Sequence, residues 1–184
     1  MEKGNRVNSP SQSNESLNAF LAKSPWVWYA IAFVVIVLDQ ITKQIAEAQL
    51  LYNQPVEITG FFNFTLRYNP GAAFSMFADW GGAQRWGLGA LAAGVSVAIT
   101  IWIAKLDKSR WTEALALALV LGGAIGNLYD RMLLGHVIDF IEVHGWGYYF
   151  PAFNIADSAI TVGAGILIYD ALFIQPKLKK TADA

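Results

Sequence analysis

Four apolar runs of about bilayer length, at 25–48, 86–104, 114–129 and 158–174, constrain this chain more than any other feature. A helix rises about 1.5 Å per residue, so roughly 20 apolar residues match a hydrocarbon layer of about 30 Å. Inside that layer every backbone N–H and C=O needs an internal partner, and a helix supplies one within each segment. Hydrophobic residues make up 55% of the chain and charged residues 15%, with a mean hydropathy of +0.38, which places it outside the soluble range. The expected fold class is mainly α and integral to the membrane: four transmembrane helices, a small β-rich cradle and a short surface helix.

The stretches between the runs have their own characters. Residues 1–24 are rich in Ser and Asn and read as a mobile tail, with a short helix at 17–23 resting on the membrane. Ala46 and Ala48 resemble a signal-peptide cleavage pattern, but Asp39 and Lys43 lie inside the run and three more runs follow, so the first segment reads as a retained anchor. Residues 50–85 leave the membrane. There, VEITGFFNFTLRYN alternates and is rich in aromatic and β-branched residues, which predicts strands bent at Gly60. A turn at Asn69-Pro70-Gly71 follows, then a short amphipathic surface helix. Gly122 and Gly126, and likewise Ala159 and Gly163, stand four apart, a spacing that lets helix backbones approach closely. The layout is a tail at 1–24, a membrane domain at 25–175 with its β-rich insertion, and a second tail at 176–184.

Lys and Arg decide the orientation. Lys3, Arg6, Lys23, Lys105, Lys108, Arg110, Lys177, Lys179 and Lys180 are nine of the thirteen and fall on one side; Lys43, Arg67, Arg85 and Arg131 fall on the other. Basic residues collect on the cytoplasmic side, so both termini are expected there. The β-rich loop, Asp39, Asp139 and the start of the fourth segment then share the outer face.

That face gathers the residues with chemistry. Asp139 lies between segments three and four, and Asp157 opens the fourth. An Asp near a bilayer centre costs roughly 2.5 to 3.5 kcal/mol on insertion scales, so such a residue usually marks a function. Two carboxylates carried to one end by neighbouring antiparallel helices can share a proton, one activating water while the other polarises a carbonyl. Spacing alone leaves the competing reading open, in which both are ordinary interfacial carboxylates. Asn69, Asn127 and Asn154 form a potential hydrogen-bonding shell around them. Asp130-Arg131 reads as an ion pair at a helix end, or else Arg131 binds backbone carbonyls. Asp39 and Lys43, at i and i+4, read as an interfacial lock. Asp170, at the opposite end of the fourth segment, reads as reaching the headgroups. His136, Asp139, Glu142 and His144 lack a metal-site spacing, and Ser75 and Ser158 lack a nearby activating base. No cysteine is present, which excludes disulfides and thiolate chemistry, and a net charge of −1 gives no reason to expect nucleic acid. A proton-coupled transporter is the main rival reading; it calls for carboxylates spread through the bilayer and for a repeat, and no repeat is visible.

Five motifs occur in order: Asp39-Gln40-Ile41-Thr42-Lys43, Asn69-Pro70-Gly71-Ala72-Ala73-Phe74, Gly126-Asn127-Leu128-Tyr129-Asp130-Arg131, Val137-Ile138-Asp139-Phe140 and Phe153-Asn154-Ile155-Ala156-Asp157-Ser158. Together with four membrane segments they closely resemble the bacterial lipoprotein signal peptidase family, signal peptidase II, over 26–174. The resemblance implies an aspartic endopeptidase of the bacterial inner membrane that cleaves diacylglyceryl-prolipoproteins before the lipidated cysteine. It implies Asp139 and Asp157 as the catalytic pair, with Asn69, Asn127, Arg131, Asn154 and Ala156 lining the site. Asp39, Lys43 and Gly71 are implied as structural motif residues. It further implies a periplasmic cradle of strands on the membrane; the aromatic residues Phe61, Phe62, Phe64, Phe74 and Phe77 of that loop read, on physical grounds, as a lid lying on the interface over the peptide. Inhibition by globomycin, contact with membrane lipid, and independence from metal or organic cofactors complete the expectation.

Overall fold

The structure, a computed structural model, describes residues 25–71 and 83–176. The expected surface helix after Gly71, both tails, and Phe74, Phe77 and Ser75 lie outside the described residues. Helix α1 spans Pro25–Gln49, α2 Ala83–Lys105, α3 Trp111–Leu133 and α4 Ile155–Tyr169, the last continuing into a π-helical turn at Asp170–Ile174. Strands β1 Val56–Thr59, β2 Phe62–Asn69, β3 Val137–Gly145 and β4 Tyr148–Tyr149 form one antiparallel sheet in that order. All four apolar runs therefore become helices long and apolar enough to cross a membrane.

Helix α3 is the centre of the bundle and packs against the other three. In its most apolar window 61% of residues are buried inside the protein, against 22%, 22% and 11% for α1, α2 and α4. Among the described residues, the outer helices thus leave most of their apolar surface for lipid, and α3 alone is mostly covered by protein. Trp28 and Ala32 of α1, Ile99 and Ile103 of α2, and Ala114, Leu117, Ala118 and Leu121 of α3 form the core. Small residues set the spacing. A Cβ on Gly122 would lie 2.7 Å from the Ala32 carbonyl oxygen, and one on Gly163 2.7 Å from that of Ala116. A Cβ on Gly123 would run into the Ala156 carbonyl oxygen. Backbone-to-backbone approach of this kind is how helices associate where lipid offers no hydrophobic drive.

The sheet lies at the end of the bundle where α1 and α3 finish and α4 begins. The β1–β2 turn falls at Gly60 and Phe61 as the sequence suggests. Strand β3, running through the link between the third and fourth apolar runs, is a finding: this link read simply as a connection. Its first four residues, Val137 to Phe140, are all buried, so period-two alternation is lost where the strand meets the bundle. One tie matters most. Phe153 exchanges backbone bonds with Ile141 (2.9 and 3.0 Å) and also accepts from the N–H of Phe140. This fixes the start of α4 beside the start of β3.

At the opposite end, Asp170 departs from expectation. It is 3% exposed and accepts a 2.7 Å bond from Gln175 Nε2, so it does not reach the headgroups. A π turn brings residues five apart onto one face, which lets Gln175 fold back over the carboxylate.

Candidate active site

The local sequence Asn154-Ile155-Ala156-Asp157 forms a capping box. The Asn154 side chain accepts from the Asp157 N–H at 2.9 Å, and Asp157 Oδ2 accepts from the Asn154 N–H at 3.3 Å. Such a reciprocal cap satisfies two helix-end donors and holds Asp157 in the first turn of α4. The amide of Asn154 then reaches across to β3. Its Nδ2 donates to Asp139 Oδ1 at 2.8 Å, to the Ile138 carbonyl at 3.1 Å and to Asn127 Oδ1 at 3.2 Å. One buried residue therefore touches both carboxylates.

Each carboxylate receives a second amide. Asn127, on α3, donates to Asp157 Oδ1 at 2.7 Å, and Asn69, at the end of β2, donates to Asp139 Oδ2 at 3.0 Å. Asn69 is held in turn by the Gly71 N–H, which donates to its Oδ1 at 2.9 Å. Gly71 has φ +107°, a region closed to most side chains, so this turn requires glycine. The three asparagines thus form the expected shell. Asp139 is 2% exposed, whereas Asp157 is half-buried. Burial, followed by the charge of Asp157, pushes the Asp139 carboxyl up to about 7; the bonds from Asn69 and Asn154 act the other way.

Beneath this shell is an ionic cluster. Lys43 Nζ bonds Asp39 Oδ2 at 2.7 Å, Asp130 Oδ2 at 2.8 Å and Asn127 Oδ1 at 3.0 Å. Asp39 also accepts from the Ala156 N–H at 2.9 Å, which joins α1 to the first turn of α4. Ala156 is fully buried, and a Cβ on Gly126 would meet Asp39 Oδ2 at 2.7 Å, so small residues at both positions leave room for the cluster. Lys43, Asp39 and Asp130 are 1%, 0% and 1% exposed. Removing one member of such a buried group strands an opposite charge and costs about 3–5 kcal/mol.

Two expectations are corrected here. Asp130 does not pair with Arg131: its oxygens accept from Lys43, from Gln40 Nε2 at 2.9 Å and from the Ile138 N–H at 3.3 Å. Successive residues of a helix point about 100° apart, and Asp130 faces α1 while its neighbour faces the carboxylate pair. Arg131 feels the charges of Asp157, Asp139 and, least of the three, Asp130, bonds the Asn127 carbonyl at 3.5 Å, and leaves its buried Nε without a partner among the described residues. Asp139 is also carried by a strand, not by a helix neighbouring that of Asp157. The Asp39–Lys43 lock forms as expected, yet it is fully buried. Gln40, which received no role from the sequence, bridges Asp39 and Asp130 (3.2 and 2.9 Å). Its signal was a polar amide directly beside Asp39 within one apolar run.

The remaining polar candidates are occupied elsewhere. His136 packs on Tyr68 with ring centroids 4.4 Å apart, and His144 bonds Asn63 and stacks on Tyr149. Glu142 accepts from Asn63 at 2.9 Å, and Ser158 donates to the Asn154 carbonyl. An apolar cavity of about 310 Å³, lined in part by Ile45, Leu50, Phe64 and Phe140, opens between the end of α1 and the sheet.

Known proteins resemble this chain in sequence and fold. The family described as signal peptidase (SPase) II matches residues 31–173. The lipoprotein signal peptidase of Teredinibacter turnerae is 64% identical over 157 residues, covering 85% of this chain and 93% of that protein. The proteins of the same name from Cellvibrio japonicus and Pseudomonas aeruginosa are 56% and 52% identical, covering 82% and 87% of this chain and 88% and 92% of their own. A bacterial membrane enzyme solved by the in meso method superposes with a TM-score of 0.71 at 32% identity, covering 80% of this chain and 93% of its own.

Proposed function

Because the chain belongs to the signal peptidase II family of bacterial membrane peptidases, we propose that it is an aspartic endopeptidase that removes signal peptides from diacylglyceryl-prolipoproteins, cutting before the lipidated cysteine. The observation that carries this reading is the Asn154 bridge. Asp139 and Asp157, from a strand and a helix, bond to the same residue and interact electrostatically, and the Asp139 carboxyl is held up to about 7.

In the proposed reaction Asp139 carries a proton and Asp157 does not. A water oxygen attacks the scissile carbonyl carbon and gives a proton to Asp157, while Asp139 protonates the carbonyl oxygen. The tetrahedral intermediate then collapses: the C–N bond breaks, the leaving amine takes the proton from Asp157, and one hydroxyl returns a proton to Asp139. The pair ends as it began, and acid and base are both supplied, so the chemistry asks for no metal or organic cofactor. Arg131, with its buried Nε turned to no described partner, is suited to a substrate backbone carbonyl. The apolar cavity lined by Phe140, next in sequence to Asp139, offers a surface to an acyl chain.

The reading also sets the location. Both termini face the cytoplasm, and the pair lies at the periplasmic face of the inner membrane, where the lipidated cysteine of a substrate resides. Acyl chains then stay in the leaflet during cleavage; drawing them into water costs about 0.8 kcal/mol per CH₂. Membrane lipid is a partner by necessity, and globomycin is the expected type of inhibitor. The test is cleavage of a diacylglyceryl-prolipoprotein by purified protein. Asp139→Asn and Asp157→Asn are each expected to abolish it while remaining folded; turnover by either variant excludes the pair.

A further inference from the structure

The three asparagines around the carboxylate pair share one feature. Each has its side-chain oxygen engaged by a group that can only donate: the Gly71 N–H for Asn69, the Asp157 N–H for Asn154, and the Lys43 ammonium for Asn127. An amide whose oxygen is committed in this way must present its NH₂ to the other side. That is why both carboxylates meet N–H donors: Asp139 from Asn69 and Asn154, Asp157 from Asn127 and the Asn154 backbone. For Asn69 and Asn154 the fixing group is backbone. For Asn127 it is a side chain.

Lys43 is bound in a way that makes this more than incidental contact. Its three N–H bonds have three acceptors, one each from Asp39, Asp130 and Asn127. The two carboxylates hold the ammonium in place, and the third N–H is the link towards the site. Asn154 cannot substitute, because its two amide hydrogens are divided among three acceptors and Asn127 is the most distant of them. From this geometry we infer that Lys43 is a positioning residue for the reaction, holding the Asn127 amide so that Asp157 meets a donor and stays free to accept the proton from water.

Without the ammonium, Asn127 loses the bond that fixes its amide, and its oxygen can turn to accept from Asp157 once that carboxyl is protonated, which the fixed NH₂ cannot do. The pair becomes doubly protonated, and inactive, at a higher pH. The charged groups facing the pair are Lys43 and Asp39 from α1 and Asp130 and Arg131 from α3, while Arg67 of β2 is turned to Asn53 and Glu142. A variant must therefore conserve net charge. Lys43→Met combined with Asp130→Asn does so, replacing one cation and one of two anions.

The inference rests on the peptidase reading, and the experiment separates the two. Cleavage of a lipidated precursor is followed from pH 4 to 9 for the wild type, the double variant and Gln40→Leu, with thermal unfolding in detergent as a check on folding. Gln40→Leu loosens the same cluster but leaves the Lys43–Asn127 bond. The double variant is expected to lose at least about tenfold in kcat with little change in KM, and its acidic limb to move up by about one pH unit. Gln40→Leu should keep the wild-type limb even if it unfolds at lower temperature. An unmoved limb in a folded double variant, or an equal movement in Gln40→Leu, overturns the inference. Should the double variant not fold, Asn127→Leu decides, because it conserves charge and removes the donor that Lys43 holds against Asp157: its limb must also move up, and an unmoved one overturns the inference. Failure of the underlying reading is distinct, being turnover by Asp139→Asn.

Discussion

Asp139→Asn should abolish cleavage and yet gain stability relative to the wild type as pH rises from about 5 to about 8. Asp139 is 2% exposed and its carboxyl is raised from 3.8 to about 7, so the folded protein resists its ionisation. A raised acid contributes its full share to stability below pH 3.8 and loses it as pH climbs through 7. About three units at roughly 1.4 kcal/mol each make the total near 4 kcal/mol, of which roughly 3 kcal/mol falls between pH 5 and pH 8. Asparagine resembles the protonated acid at every pH and escapes this loss. The assay is thermal unfolding of both proteins in one detergent at pH 5 and pH 8. The gap in midpoint between variant and wild type is expected to widen by about 6 to 12 °C, on a scale of about 2–4 °C per kcal/mol for a chain of this size. Groups common to both proteins cancel in that difference. Parallel pH dependences would refute the claim that burial and the neighbouring Asp157 hold Asp139 in its neutral form.

Other outcomes follow from the same geometry. Gly163→Ala should destabilise by about 1–3 kcal/mol, because its Cβ meets the Ala116 backbone oxygen, whereas Gly165→Ala, with open space around it, should be neutral or stabilising by up to about 1 kcal/mol; equal midpoints for the two would contradict the close packing of α3 on α4. Asn154→Ala should lower kcat by at least about a hundredfold, since it removes the amide bond to Asp139 and the cap on the Asp157 N–H together, and near-normal turnover would show that the Asn154 side chain is dispensable. A topology reporter fused after Lys108 should read cytoplasmic and one placed between β1 and β2 periplasmic; the reverse pattern would put the pair on the wrong side of the membrane.

Sequence determined much of this protein because two of its constraints are local. Twenty-odd apolar residues in a row have few stable forms in lipid, so the helices could be read from hydropathy within a few residues of their ends. Capping is local as well: Asn154-x-x-Asp157 carries the pattern of a helix start, yet from sequence Asn154 reads only as part of a shell, and the cap itself emerges with the structure. Strand β3 was missed because its opening residues are buried on both faces, and a strand covered on both faces leaves no alternation to read.

Partner choice beyond the local Asp39–Lys43 pair was decided by tertiary structure. Asp130 lies beside Arg131 in sequence, and adjacency suggested a pair; helix geometry turns the two apart, and Asp130 finds Lys43 on another helix instead. Asp170 was read as a headgroup carboxylate until the π turn brought Gln175 over it. The same holds for the site. Sequence supplied two aspartates and three asparagines at one end of a bundle, but their meeting depends on backbone bonds between Phe153 and β3 and on Lys43 reaching from α1 to Asn127. Hydropathy acts on each segment separately and is written along the chain. A hydrogen bond needs two groups within about 3 Å, and for residues 84 positions apart only the packed fold sets that distance.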